Sequence, residues 1–195
     1  MHWADIQMTS LASTSFTLTP FPDPDWDDNI TISGDLRVRD SGFSIDYEVN
    51  DAEATLAWPA REAQPTCCDN LWAETCFEVF IASPGADDYC EYNFSPSGHW
   101  NCYQFITYRT QQTPATITTP RILNVRDENT HKCFRIDAEL TQTFKSKHKL
   151  NFGISAVLQR QDGCINYYAL THCDVKPNFH LHQSFILAIN NASAA

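Results

Sequence analysis

The chain has little of several things, and each scarcity removes a class of function. Its 195 residues include only six glycines, and its two methionines, Met1 and Met8, both fall in the opening segment. No GxSxG and no glycine-rich stretch occurs, so neither a nucleophile elbow nor a phosphate-cradling loop is expected. CxxC and HExxH are absent too, and the one close cysteine pair, Cys67 and Cys68, is adjacent, a poor geometry for chelation. No metal site is predicted. Positive charge is scarce: 13 Lys and Arg against 24 Asp and Glu leave a net charge of −11. Lacking a basic footprint to release counterions, the chain is not expected to bind nucleic acid. No apolar run approaches the ~18 residues of a membrane span. The opening MHWADIQMTSLAS has no basic n-region and no apolar h-region, which predicts a cytoplasmic location. In that setting the eight cysteines are expected to stay reduced, and the sequons at Asn29, Asn93 and Asn191 to stay unused.

What is present has a period of two. FSIDYEV alternates Phe43, Ile45, Tyr47 and Val49 with Ser44, Asp46 and Glu48. CFRIDAEL and LNFGISAVL repeat the pattern, and DLRVRD is a shorter example. Such alternation predicts half-buried antiparallel strands. SFTLTP, ATLAW, LWAETCFEVFI, YCEYNFS, WNCYQFITYR, ATITTPRIL, INYYALTH and SFILAI are further strand candidates. SPGADD, SPSG, QQTP, QDG and DVKPN separate them as turns. Many short strands without a helical period predict an all-β fold, an antiparallel sandwich or barrel, with residues 1–195 as a single domain. The acidic loop FPDPDWDD is expected to be solvated and tied down by Trp26, since its acids follow no EF-hand order.

LWAETCFEVFI carries a carboxylate where an apolar residue is expected. On a pleated strand Thr75, Phe77, Val79 and Ile81 share the core face, and Cys76, Glu78 and Phe80 share the other. If a hairpin forms around SPGADD, Glu78 lies near Glu91 or Asn93. The following segment adds Tyr103 and Arg109. Carboxylate, amide and aromatic groups on one face suit a sugar, whose C–H faces stack on rings while its hydroxyls pair with polar groups. The same pattern also fits a solvated sheet face with cross-strand pairs. Glu78 and Glu91 would serve as an acid–base pair only if held about 5–9 Å apart, the weakest reading. The segment THCDVKPNFHLH offers His172, Cys173, His180 and His182, with His180 and His182 on one face if it is extended. That leaves a haem or metal site open as an alternative.

LWAETCFEVFI, EYNFSPSGHWNCYQF and YYALTHCDVKPNFHLHQSF together resemble the bacterial DOMON-like proteins, which are related to carbohydrate-binding module family 9. The resemblance spans most of the chain, from LRVRD to SFILAI, with ATLAWPA leading in. It implies an immunoglobulin-like or jelly-roll β-sandwich that binds a small-molecule or oligosaccharide ligand without catalysis. Trp72, six residues before Glu78, matches the stacking Trp and hydroxyl-binding Glu of the sugar modules. Asn93 matches their amide, whereas Glu91 stands where they carry a cation. Their second stacking Trp has no counterpart; the downstream third supplies Tyr167, Tyr168 and Phe179. Related haem-binding domains use Met with His or Lys, and this chain offers His172, His180, His182 and Lys176 but no suitably placed Met. The expected ligand-binding residues are Trp72, Glu78, Glu91, Asn93, Tyr103 and Arg109, with His172 and His180 as outer candidates. Arg109 is expected to neutralise one glutamate. No cofactor is predicted, haem being the alternative, and a protein-interaction domain without a small ligand is a further one.

Overall fold

Alternating side chains dictate the architecture. The computed structural model describes residues 12–190, apart from 25, 27, 28, 40, 111, 112, 142 and 145–148. The opening segment with Met1 and Met8, the sequon at Asn191 and most acids of the FPDPDWDD loop lie outside these. Twelve strands form among the described residues: β1 (Ala12–Pro20), β2 (Ile30–Arg39), β3 (Gly42–Asp51), β4 (Cys76–Ala82), β5 (Tyr89–Phe94) and β6 (Trp100–Phe105), then β7 (Thr113–Pro114), β8 (Arg121–Glu128), β9 (His131–Glu139), β10 (Lys149–Gln159), β11 (Ile165–Ala169) and β12 (Leu187–Asn190).

They make an antiparallel β-sandwich. One sheet runs β1-β2-β3-β9-β8, and the other runs β7-β6-β5-β4-β10-β11, with β12 also paired to β10. β1 joins the two: Ala12–Leu18 pairs with β2, and Thr19 and Pro20 pair with β11. The alternating apolar residues of β3 and β9 are buried between the sheets. Phe43 meets Tyr92 edge-on at 5.3 Å and Phe152 at 6.3 Å, while Tyr47 packs on Phe77 at 4.6 Å. Trp26 is buried, donating its indole N–H to the Tyr168 hydroxyl, so it does anchor its loop.

The two outer faces differ. On the first sheet Asp46 accepts hydrogen bonds from Arg37 and Arg135. Partial burial pushes the Asp46 carboxyl up, but the two guanidinium groups outweigh this and hold it below the usual range. The second sheet has no such wet face: every residue of β4 and β5 is buried. A second apolar cluster of Phe80, Ala82, Tyr89, Tyr103, Phe105 and Phe185 lies there, with Phe179 packed against it. Phe185 stacks on Phe80 at 5.5 Å, over the space that the missing side chain of Gly153 leaves.

Several expected strands are shorter than their apolar pattern. ATLAW makes only one bridge, Leu56 to Arg160, because Ala54 turns left-handed (φ 54°) and Pro59 follows. Leu71–Ala73 is a 3-10 turn opened by left-handed Asn70, so Trp72 precedes the strand rather than lying on it. ATITTPRIL is extended only from Arg121, after Pro120. SFILAI starts with Ser184 closing a second 3-10 turn, His182–Ser184. His180 and His182 therefore do not share a strand face.

Gly34 sits between Phe16 and Tyr47 on the neighbouring strands, whose rings meet at 5.5 Å. A Cβ there would collide with the Asp46 carbonyl oxygen, which belongs to backbone and cannot swing away. Gly34→Ala is expected to cost about 2–4 kcal/mol in urea denaturation. A loss under ~0.5 kcal/mol would contradict the close approach.

Candidate functional site

The floor of the site is the outer face of β4, β5 and β10. Glu78 stands opposite Asn93 on one side and Ser155 on the other, and Glu91 stands opposite Phe80 and Tyr103. Both carboxylates are buried, 3% and 5% exposed. Each has one oxygen held by the sheet: Ser155 Oγ donates to Glu78 Oε2 at 3.0 Å, and Asn93 Nδ2 donates to Glu91 Oε1 at 2.7 Å. The second oxygen of each has no hydrogen-bond partner among the described residues. Burial, then the charge of Glu91, pushes the Glu78 carboxyl up to about 8; Ser155 and Arg109 act against the rise. Burial pushes Glu91 up to about 7, opposed by Asn93 and Arg109. The dyad thus holds a proton near neutrality.

The walls come from turns. Asp69 accepts hydrogen bonds from Tyr103 and Asn101, and the Asn101 amide also holds the Cys68 carbonyl. These bonds dock the segment before β4, and Trp72 rests edge-on against Tyr103 at 6.0 Å. The Trp72 ring remains 38% exposed. On the opposite wall the Tyr89 hydroxyl accepts from the Arg109 N–H at 3.1 Å and lies 2.8 Å from His180 Nδ1. The direction of the Tyr89–Nδ1 bond follows the imidazole tautomer, and His180 Nε2 lies 3.7 Å from Glu91 Oε2. Burial, helped by the Arg109 charge, drops His180 to about 3, so the imidazole is neutral and this contact is not an ion pair. Arg109 itself sits in the left-handed region at φ 50°, where only a tightly held non-glycine residue stays. Its guanidinium lies over Tyr108.

The result is a cleft of about 570 Å³. Trp72, Glu78, Glu91, Arg109 and His180 all line it, joined by Phe105, Tyr167, Lys176 and Phe179. Asn93 does not: it is fully buried beneath the floor and acts on Glu91. Tyr103 is also buried, its hydroxyl bound to Asp69, so it supports Trp72 from behind. His172 turns Nε2 to the Thr19 carbonyl at 2.8 Å and packs behind Phe179. Arg109 makes no ion pair with either glutamate among the described residues; only its field reaches them. Ser155 and Tyr89 were missed by pattern reading, although each lies on the outward parity of its strand.

Among the described residues no three His, Cys, Asp or Glu side chains gather closely enough to hold a metal ion. His172 has Nε2 committed to a carbonyl, and the His180 ring is boxed edge-on by Phe80 and Phe105 with Nε2 facing Glu91.

No protein-family model matches the chain, and no curated protein does. Solved structures do. A protein of Bacteroides uniformis proposed to bind carbohydrate superposes with a TM-score of 0.61 at 11% identity, over 88% of this chain and 83% of that one. A family 9 carbohydrate-binding module from Caldicellulosiruptor kristjanssonii, in complex with glucose, superposes with a TM-score of 0.51 at 12% identity, over 85% and 78%. At these identities the likeness establishes a shared β-sandwich fold.

The dyad couples pH to stability. Between pH 6.5 and about 8 the native carboxyls keep protons that the unfolded chain has released, so stability falls as pH rises. Below 6.5 the unfolded chain protonates His180 while the native ring refuses, which opposes the dyad there. Glu78→Gln is expected to flatten the fall, read as urea midpoints at pH 6.5 and 8. An unchanged slope in the variant would show that Glu78 is ionised throughout.

Proposed function

We propose that the chain is a non-catalytic sugar-binding module of the DOMON-like type, related to carbohydrate-binding module family 9. The observation that carries this reading is one half-exposed tryptophan beside two buried carboxylates that each keep an oxygen unbonded. Trp72 stacks on the C–H face of a pyranose, and Tyr103 holds its ring edge-on. Glu78 and Glu91 hydrogen-bond adjacent hydroxyls. A proton shared by the dyad lets it donate to one hydroxyl while accepting from another. Neutral His180 presents its Nε2 beside them, 3.7 Å from Glu91. A cleft of about 570 Å³ has room for about one or two sugar rings. The fold that the chain shares with a glucose-bound family 9 module supports the reading.

The same site has the parts of a binding device more than of an enzyme. Glu78 and Glu91 lie on adjacent strands of one sheet face, each held at one oxygen, by Ser155 and by Asn93. Hydrolysis of any glycoside in a broad panel would replace the module with a hydrolase.

A thermal-shift panel of soluble mono- and disaccharides tests the proposal, with hemin as a parallel arm read by its Soret band. A bound sugar at ~100-fold excess over its Kd is expected to add about 2–3 kcal/mol of stability. Trp72→Ala is expected to remove at least about 2 kcal/mol of binding while the variant unfolds at nearly the wild-type temperature. Sugar binding that survives this substitution would remove Trp72 from the site.

A further inference from the structure

The sugar reading leaves two cations of the cleft without a ligand group to meet. Arg109 and Lys176 both line it, and neither has an ion-pair partner among the described residues. This matters in a chain with 13 cationic against 24 acidic residues, where an unpaired cation has many carboxylates to choose from. Their convergence is built. Asn178 Nδ2 donates to the Tyr108 hydroxyl at 2.9 Å, tying the turn that carries Lys176 to the turn that carries Arg109. The Arg109 N–H bond to Tyr89 fixes its left-handed backbone from below. Asp174, the acid nearest Lys176 in sequence, is held by Val175 N–H at 2.7 Å and Asn178 Nδ2 at 2.9 Å, and the Lys176 charge acts on it without an ion-pair contact.

We infer that the ligand of this cleft is an acidic sugar, with a pyranose ring on Trp72 and the glutamates and an anionic substituent received by Arg109 and Lys176. The inference rests on the sugar reading above and adds the chemical class of the ligand. A guanidinium presents two parallel N–H donors to a carboxylate or phosphate, and an ammonium adds a point charge. The glutamates do not cancel this field near neutrality, because burial keeps the dyad partly protonated. They sit on the strand floor and meet hydroxyls, while the cations enter from the turns.

Isothermal titration of the full chain with glucose, glucuronate and glucose 6-phosphate at pH 7 separates the possibilities. Glucuronate or glucose 6-phosphate is expected to bind about 10-fold more tightly than glucose, with the preference shrinking as salt is added. Which of the two leads identifies the acid as carboxylate or phosphate. Arg109→Gln and Lys176→Gln are each expected to pull the acidic-to-neutral affinity ratio toward one, and Arg109→Lys to restore part of it. Equal affinity for glucose and both acidic sugars overturns the inference and leaves the sugar reading standing. So does a ratio that neither glutamine variant changes. Binding of none of the three by a protein that remains folded overturns both.

Discussion

Burying Glu78 beside Glu91 is costly unless each carboxyl finds hydrogen bonds or keeps its proton. The fold meets this constraint from three directions. β10 brings Ser155 against Glu78, β5 brings Asn93 against Glu91, and the turn after β6 brings the field of Arg109 over both. Ser155 and Asn93 each hold one oxygen of a different carboxylate, while Arg109 acts on both through its charge alone. The remaining strain is relieved by protonation, and this makes the dyad both donor and acceptor.

The same constraint explains why the two sheets have unlike outer faces. The first keeps Asp46 partly buried and paired with two arginines. The second is roofed in part by the chain around Phe179 and Phe185, which packs on Phe80 and Tyr89. That roof excludes water from the carboxylates and leaves a cleft instead of a flat surface. His180 is caught in it, neutral, between Tyr89 and Glu91. Trp72 forms the opposite wall because left-handed Asn70 turns the chain before β4 begins.

How much of this was readable depends on range. The split of β4 into Phe77, Val79 and Ile81 against Cys76, Glu78 and Phe80 follows from the pleat, and the hairpin through SPGADD places Asn93 opposite Glu78. The grouping of Trp72, Glu78, Glu91, Arg109 and His180 around one cleft was within reach because most of it is local to three consecutive strands. Asn93 and Tyr103 carry the same polar and aromatic signal, yet lie beneath or behind the surface. Parity names a face but not which of its residues a neighbour will cover. Strand ends were the least legible, since Ala54, Asn70 and Arg109 leave the extended region without being glycine.

By itself the sequence pattern determined an all-β fold, sandwich or barrel, the core face of each long strand, and the unusual carboxylates on the opposite face. Those features are periodic or local, and backbone geometry enforces them wherever the strands lie. Tertiary structure alone decided that this face is roofed, that Ser155 holds Glu78, and that Arg109 and Lys176 both line the cleft. Each of these joins segments far apart in the chain, and burial, which sets the protonation of Glu78, Glu91 and His180, exists only once they have met.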